Sequence, residues 1–216
     1  MAKNVVVVGL GRFGSVLAKA LAKSGYDVLG IDRRQEKVRE LAESIDKVVQ
    51  GEATDPQLWQ DLPVKGADIG VIAFGSSLEA NVLTALLLRK TGVKRVIALS
   101  QSDLHTELLR AIGVDQVIEP QVDSALQLAH TLGTHMQDYL EVTEDFGICK
   151  ITATHQLKQL TVRQLFDEKK VTVLAMHHGS RVILEPPDSH EIAEGDTLVV
   201  AGRDEHLRAL TGVAAP

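Results

Sequence analysis

The sequence predicts an α/β fold, with a doubly wound, mostly parallel sheet followed by a small α+β unit. Three observations support this prediction. Short apolar runs alternate with amphipathic stretches through the first 120 residues, a glycine-rich turn follows the first run, and β-like patterns dominate after about residue 138. Hydrophobic residues make up 44% of the 216 and charged residues 24%, a balance typical of a globular chain with a true core.

Six strands are predicted in the first 120 residues. The first, at 5–8, consists of four valines followed by a glycine, which is typical of a buried strand in a parallel sheet. The other five are short apolar runs bounded by polar or turn residues, at 28–31, 47–50, 69–74, 95–99 and 116–118.

Helices are predicted between these strands. In 12–24, apolar residues recur every three or four positions and Gly25 follows as a stop signal. Similar spacing places further helices at 35–42, 55–62, 79–90 and 104–112. Regular alternation of strands and helices is typical of the Rossmann-like architecture.

The pattern changes after Glu119 and Pro120. A longer helix is predicted at 123–136, followed by strands at 147–153, 171–177, 181–184 and 197–201 and short helices at 162–166 and 205–210. We therefore expect three parts: a Rossmann-like domain at 1–120, a crossover or linker helix at 121–137, and a small α+β domain at 138–216.

Charge and cysteine content exclude several classes of protein. Residues 1–120 contain 15 Lys and Arg against 15 Asp and Glu, so the net charge of −6 lies entirely in 121–216. Neither part has the basic surface that binding to nucleic-acid phosphates requires. The single cysteine, Cys149, excludes an internal disulfide framework. Since no signal-peptide pattern and no apolar run of roughly 20 residues is present, we expect a soluble cytoplasmic protein.

The strongest local signal is the GLGRFG segment at 9–14, which follows the first strand and begins the first helix. In a dinucleotide-binding turn, Gly9 makes the tight turn, Gly11 lets the backbone approach a pyrophosphate, and Gly14 lets helix and strand pack closely. The helix N-terminus offers unpaired N–H groups to phosphate. Asp32, at the end of the second strand, is placed to accept hydrogen bonds from both ribose hydroxyls. The alternative is a turn whose glycines serve packing alone.

Three arginines lie near this turn. Arg12 is inside it, where its guanidinium either reaches a terminal phosphate or is simply solvated. Arg33 and Arg34 follow Asp32 directly. They would suit a 2′-phosphate, but Asp32 would repel one, so we expect them to flank the adenine edge or to be solvated.

The carboxyl ends of the other strands complete a candidate cleft, because ligands of open α/β sheets bind at this edge. His105, on the helix after the fifth strand, either approaches the phosphates or is solvated. The residues expected to contact a nucleotide are Gly9, Gly11, Arg12, Phe13, Gly14, Asp32, Arg33, Arg34, Glu52, Ala53, Thr54, Ala73, Phe74, Gly75, Ser76, Ser100, Gln101 and His105.

The sequence contains no recognisable catalytic constellation. The eight histidines are scattered, and the nucleophile-elbow, zinc-protease and P-loop motifs are absent from the sequence. A dehydrogenase needs a general acid beyond the nicotinamide, and the sequence nominates none. We therefore expect a protein that is not an enzyme, with a small NAD-dependent oxidoreductase as the alternative.

Several motifs occur together in a specific order. The first part carries the GLGRFG turn, Asp32, the segment EATD at 52–55, and LRAIGVD at 109–115 before its last strand. The second part carries spaced leucines, VLA at 173–175 and GDTLVVAG at 195–202. In these motifs the chain resembles, over essentially its whole length, the RCK (KTN) domain and its RCK C-terminal domain. This is the regulatory fold of Ktr and Trk potassium-uptake systems and of ligand-gated potassium channels.

The arginine within the glycine turn is similar to the Ktr type. That resemblance implies a cytosolic regulatory subunit that binds ATP or ADP and gates a membrane potassium transporter or channel, with Arg12 as candidate sensor of the γ-phosphate. The implied partner is an integral membrane potassium-translocating subunit, which would hold the protein at the inner face of the membrane. The resemblance also implies homo-oligomers of dimers in a ring, typically an octamer, and the leucine-rich helices at 79–90 and 104–112 offer apolar surface for assembly.

Two positions depart from the family pattern. Ktr-type relatives carry a lysine near the end of the fifth strand, whereas 98–101 reads Ala-Leu-Ser-Gln here. Relatives also carry a glutamate, a ligand for a divalent cation, where this chain has the uncharged Gln121, so we expect no metal site. Either change would allow a shift of preference to NAD(H), as in Trk-type regulators. A cyclic di-AMP site is not expected, because 162–170 offers no convincing counterpart of the arginine that relatives use.

Overall fold

The fold is given by a computed structural model in which residues 3–75, 77–132 and 136–210 are described. The contacts within the chain divide it into two compact units, 1–121 and 122–216. Each unit has its own sheet and its own hydrophobic core.

The first unit contains a six-stranded parallel sheet with the strand order β3-β2-β1-β4-β5-β6. The chain order reverses between β1 and β4, so the connections from these two strands leave in opposite directions and open a crevice at their carboxyl ends. This topology confirms the Rossmann-like prediction. The strands are β1 (Asn4–Val8), β2 (Asp27–Asp32), β3 (Lys47–Gln50), β4 (Ile69–Ile72), β5 (Arg95–Leu99) and β6 (Gln116–Ile118).

Five helices connect these strands, and most of them begin at a polar side chain that caps the first turn. Asp55 accepts a hydrogen bond from the Gln57 amide, with a proline at the first helical position, and Ser77 accepts one from the Ala80 amide. The helices are α1 (Arg12–Lys23), α2 (Gln35–Ala42), α3 (Pro56–Asp61), α4 (Leu78–Lys90) and α5 (Asp103–Ala111).

Both faces of the first sheet are buried under helices. Alternate residues of a strand point to opposite faces, and accordingly Val6 and Val8 belong to one core layer while Val5 and Val7 belong to the other. The cores are aliphatic apart from Trp59, which is buried in the layer that contains Val6. A strand buried on both sides reads as a continuous valine run, which explains why β1 is recognisable from the sequence.

The second unit contains an antiparallel five-stranded sheet with the strand order β10-β9-β11-β8-β7. Its core includes Cys149, and burial raises the pKa of this thiol to about 12, so the thiol stays protonated at neutral pH. The elements that follow the first sheet are α6 (Pro120–Leu132), β7 (Met136–Thr143), β8 (Phe146–Thr152), α7 (Val162–Lys169), β9 (Thr172–His178), β10 (Arg181–Leu184), β11 (Thr197–Arg203) and α8 (Asp204–Leu210).

The prediction for the segment between the two sheets is wrong at both ends. The helix expected at 123–136 begins at Pro120, because proline fits the first helical position, where its missing N–H has no helical partner. Met136 is buried and begins β7, so the linker helix expected at 121–137 stops short of its predicted end. Strand β7 was not predicted, because its pairing with β8, rather than its own residue pattern, makes it a strand.

Candidate functional site

A cleft of about 410 Å³ lies at the carboxyl ends of β1, β2 and β4. This volume is within the range of small-molecule sites. Nine of the residues expected from the sequence line it, namely Gly9, Gly11, Asp32, Arg33, Arg34, Glu52, Ala53, Ala73 and Phe74. The other lining residues were not predicted to contact a nucleotide; they are Val8, Ile31, Gly51, Ser77 and Ala80.

The remaining expected residues are not among those that line this cleft in the described part of the chain. Ser76 falls outside the described residues. The others are Arg12, Phe13, Gly14, Thr54, Gly75, Ser100, Gln101 and His105.

The three glycines of the turn have different surroundings. Gly9 has φ +91°, and a Cβ there would lie 3.0 Å from the Phe74 ring. A Cβ on Gly14 would collide with the Gly9 carbonyl oxygen and lie 3.0 Å from the Ala73 side chain. A Cβ on Gly11 would meet no described heavy atom within 4 Å, although Gly11 lines the cleft. Packing therefore requires glycine at positions 9 and 14, but not at position 11.

The N-terminus of α1 is open to an anion. Its N-cap is Gly11, which has no side chain to accept hydrogen bonds from the first-turn amides, and the first turn contains no acidic residue. The first N–H groups of a helix have no partner within the helix and carry a partial positive charge. Arg12 begins the helix with an exposed side chain. Backbone donors and one cation therefore meet beside the cleft, as phosphate binding requires.

Asp32 is the most constrained polar group in the cleft. It is 6% exposed, and its carboxylate accepts hydrogen bonds from the Leu10 amide at 2.7 Å and the Arg34 amide at 2.9 Å. The Arg34 guanidinium adds two more, from Nε to Oδ1 at 3.1 Å and from Nη2 to Oδ2 at 3.2 Å. Arg34 was predicted to lie at the adenine edge or in solvent, and its pairing with Asp32 was not predicted.

The hydrogen bonds to Asp32 keep its carboxylate charged. Burial alone raises the pKa of Asp32, but the hydrogen bonds from Arg34 and Leu10 outweigh it and hold the pKa below its ordinary value. The cleft therefore contains a permanent carboxylate at neutral pH, neutralised on one side by a guanidinium.

Two buried side chains that the sequence analysis did not assign to the site hold its walls in place. The Trp59 indole N–H donates to the Ala53 carbonyl at 2.9 Å. The Asn81 amide nitrogen donates to the Phe74 carbonyl at 2.7 Å and to the Leu99 carbonyl at 3.0 Å, which ties the loop after β4 to the end of β5. The sequence feature that could have identified Asn81 is a single amide side chain on the apolar face of a leucine-rich helix.

His105 is 4% exposed, so the expectation of a solvated side chain is wrong. Burial lowers its pKa, which favours the neutral ring at neutral pH. Its neighbour Thr106 donates to Glu119 at 2.9 Å at the end of β6. Gln121 is exposed, and within the described residues no group of three or more His, Cys, Asp or Glu side chains is arranged to hold a metal ion.

The described helices include none with both the length and the apolar character needed to span a bilayer.

Two known domains match the chain. Residues 5–120 match the TrkA-N domain, and residues 150–213 match the TrkA-C domain. The first match covers the parallel sheet and its cleft, and the second covers most of the antiparallel unit.

Curated relatives match over nearly the whole length. The Ktr system potassium uptake protein C of Bacillus subtilis (strain 168) is 33% identical over 205 residues, which are 94% of this chain and 93% of that protein. The Ktr system potassium uptake protein A of the same organism is 29% identical over 209 residues, which are 95% of this chain and 94% of that protein.

Solved structures share the fold. The GsuK RCK domain matches with a TM-score of 0.66 at 20% identity, covering all of this chain and 49% of that one, so this chain spans about half of the GsuK chain. An AMP-bound Kef CTD of Shewanella denitrificans is 27% identical, with a TM-score of 0.51 over 60% of this chain and 81% of that one. The protein is therefore a member of the family that joins a TrkA-N domain to a TrkA-C domain, to which the Ktr potassium uptake proteins also belong.

Proposed function

We propose that this protein is a nucleotide-sensing regulatory subunit of a potassium uptake system. The Ktr names of relatives that match along nearly the full length support the potassium system. The proposed nucleotide role rests on one observation. Gly11 faces the cleft, and the surrounding protein leaves room for a side chain there, so the missing side chain serves a ligand that approaches the backbone.

Adenine nucleotides fit the cleft best. Its elements are an uncapped helix N-terminus for phosphate, a charged Asp32 for the ribose, and apolar walls from Val8, Ile31 and Phe74. An AMP-bound relative of 27% identity supports the adenosine monophosphate portion of the ligand. The NAD-bound GsuK channel, at 20% identity, is similar in fold. ATP and ADP are the proposed physiological ligands, with NAD(H) as the competing choice.

Arg12 is the proposed sensor of the terminal phosphate. It is exposed beside the unpaired amides of α1, while Asp32 and Gly11 contact the part that ATP and ADP share. A contact made to ATP alone supplies a difference in binding energy between two conformations of the assembly, which is what a ligand needs to shift an equilibrium.

The proposed assembly is a homo-oligomer, with dimers joined into a ring of eight, docked on a membrane potassium-translocating subunit at the cytoplasmic face. Exposed leucines on the neighbouring helices α4 and α5 support self-association; they are Leu78, Leu83, Leu86, Leu104 and Leu108. Three other leucines of these helices, Leu87, Leu88 and Leu109, are buried in the core and are not available to a partner.

Calorimetry of the full chain with ATP, ADP, AMP, NAD and NADH tests the nucleotide role. We expect micromolar or tighter binding of ATP and ADP and no turnover of NADH when candidate carbonyl substrates are added. Tightest binding of NAD(H) without turnover would replace the ATP and ADP proposal with an NAD(H)-binding regulator. Turnover of NADH would replace it with the oxidoreductase alternative, and failure of every nucleotide to bind would refute the sensing role.

A further inference from the structure

The carboxylate of Asp32 has no acceptor site left for a ribose. A carboxylate offers about four lone-pair positions to donors. Four hydrogen bonds already fill them: two to Oδ1 from the Arg34 amide and Nε, and two to Oδ2 from the Leu10 amide and the Arg34 Nη2. A ribose hydroxyl can therefore reach this carboxylate only by displacing one of these donors.

The four donors differ in how readily they can be displaced. The Leu10 and Arg34 amides are backbone groups held by the turn after β1 and by the start of α2, and their bonds are the short ones, at 2.7 and 2.9 Å. The Arg34 guanidinium makes the longer bonds, at 3.1 and 3.2 Å, from a side chain that is 53% exposed. An exposed arginine can rotate into water or along the cleft rim at little cost, whereas moving the backbone donors would disrupt the fold.

We propose that the Arg34 guanidinium occupies the ribose-binding position of Asp32 and that nucleotide binding exchanges it for the ribose hydroxyls. Arg34 is then a specificity-determining residue that reduces the contribution of the ribose hydroxyls to affinity. The proposal rests on the proposed nucleotide role of the cleft, and it adds a competing group that the role itself does not require.

The exchange predicts how affinity depends on the sugar. In the wild-type protein, each hydrogen bond from the ribose to Asp32 replaces one from Arg34, so the two hydroxyls add little net binding energy. Without the guanidinium, the same hydroxyls find open acceptor positions on a buried carboxylate. Hydrogen bonds to charged groups are the strong ones, so the hydroxyls should then contribute fully.

The test is calorimetry of the wild-type chain and Arg34→Ala with ADP and with 2′,3′-dideoxy-ADP. Both ligands carry the same phosphates, so the loss of positive charge acts on both equally and cancels in the ratio of their dissociation constants. We expect ADP to be preferred over the dideoxy compound by about fivefold more in Arg34→Ala than in the wild type. An unchanged or smaller ratio would overturn the proposal.

Two further variants complete the test. Arg39→Ala removes an exposed arginine of α2, which neither lines the cleft nor has a described bond to Asp32, and should leave the ratio at its wild-type value. Adding Asp32→Asn to Arg34→Ala should abolish the gain, because the charged acceptor is lost. A gain that persists in this double variant would place the ribose contact elsewhere and refute the exchange. If the wild type binds neither ADP nor any other nucleotide, the proposed function itself fails, and this result is distinct from an unchanged ratio.

Discussion

At the residue scale, the glycine turn separates packing from recognition. Gly14 lies against the Gly9 carbonyl and Ala73, so its role is to let α1 approach the sheet. Gly11 has extended backbone angles, φ −68° and ψ −167°, that alanine adopts without strain, and open space where a side chain would go. The same residue type thus serves two purposes three positions apart.

Alanine substitutions at Gly11 and Gly14 distinguish the binding role of the first glycine from the packing role of the second. Gly11→Ala should weaken ADP binding by about tenfold or more, because its methyl group would occupy the path of the phosphates, while unfolding free energy changes by less than about 1 kcal/mol. Gly14→Ala should destabilise the first unit by roughly 1–3 kcal/mol or more. Calorimetry measures the affinity of both variants for ADP, and urea unfolding measures their stability. Equal ADP affinities of the wild type and Gly11→Ala would contradict the observation on which the proposed nucleotide role rests.

Arg12 tests whether the protein senses the terminal phosphate. Arg12→Ala should lower ATP affinity more than ADP affinity, by about 1–2 kcal/mol for one charge-assisted contact. The chain has no lysine at 98–101 to share this role. Lys19→Ala, a cation further along the same helix, is the matched control and should leave the ratio unchanged. If the ratio of ATP affinity to ADP affinity is unchanged in Arg12→Ala, a group other than Arg12 senses the terminal phosphate.

Asp32 couples stability to acid pH. Its pKa in the folded protein lies below the ordinary 3.8, so the folded state binds this proton less readily than the unfolded chain does. The charged carboxylate therefore stabilises the fold above about pH 4, and this stability is lost as pH falls toward the folded pKa. Urea unfolding should show that the advantage of wild type over Asp32→Asn in unfolding free energy is constant near neutral pH and shrinks as pH falls below about 4. If the difference in unfolding free energy between wild type and Asp32→Asn is the same at every pH, the fold does not selectively stabilise the charged form of Asp32.

At the element scale, loops at the carboxyl ends of the sheet are fixed by side chains that come from helices. Asn81 on α4 bonds to the carbonyls of Phe74 and Leu99, and Trp59 on α3 bonds to that of Ala53. The Phe74 and Ala53 carbonyls lie beyond the ends of β4 and β3, and Leu99 is the last residue of β5. The cleft walls therefore depend on α3 and α4 as much as on the strands.

Removing the Asn81 amide should loosen the wall that includes Phe74. Asn81→Ala leaves two carbonyls without their donor and should lower the free energy of unfolding by roughly 1–3 kcal/mol. Glu79→Gln, an exposed change in the first turn of the same helix, should shift it by less than about 0.5 kcal/mol. Thermal unfolding measures both variants, and a stability of Asn81→Ala equal to that of Glu79→Gln would show that water replaces the amide without loss.

At the scale of the whole molecule, the two units are organised differently. In the first, a parallel sheet is buried on both faces, while the second has an antiparallel sheet with short helices. Exposed leucines remain on α4 and α5 of the first unit after its core is complete. Exposed clusters of this kind mark contact surfaces in proteins that associate.

Self-association through that surface is directly measurable. Light scattering at micromolar concentration should give a mass that is a multiple of 23.4 kDa, and Leu86→Glu combined with Leu104→Glu should lower it. Gln60→Glu, an exposed change on α3, is the control and should leave the mass unchanged. A wild-type monomer would contradict the ring.

Local patterns in the sequence determined most elements of the fold. Helix 35–42 and strands 47–50, 95–99, 116–118 and 181–184 have the predicted bounds, because apolar periodicity and nearby turn residues specify them within a few positions. The glycine turn and Asp32 were identifiable for the same reason, since their spacing follows from the strand, turn and helix that carry them.

Contacts between distant segments decided the rest. Strand β7 exists because β8 pairs with it; its first two residues fell within the linker helix predicted at 121–137, and no strand was predicted for the others. Asn81 donates to the Leu99 carbonyl at the end of β5, 18 residues further along the chain, so this role appears only when β4 and β5 lie side by side. Arg34 is two residues from Asp32, yet its bidentate bond depends on the backbone turn between them, which residue type alone does not specify. Sequence patterns encode local conformation and burial, whereas hydrogen-bond partners across the fold are set by tertiary geometry.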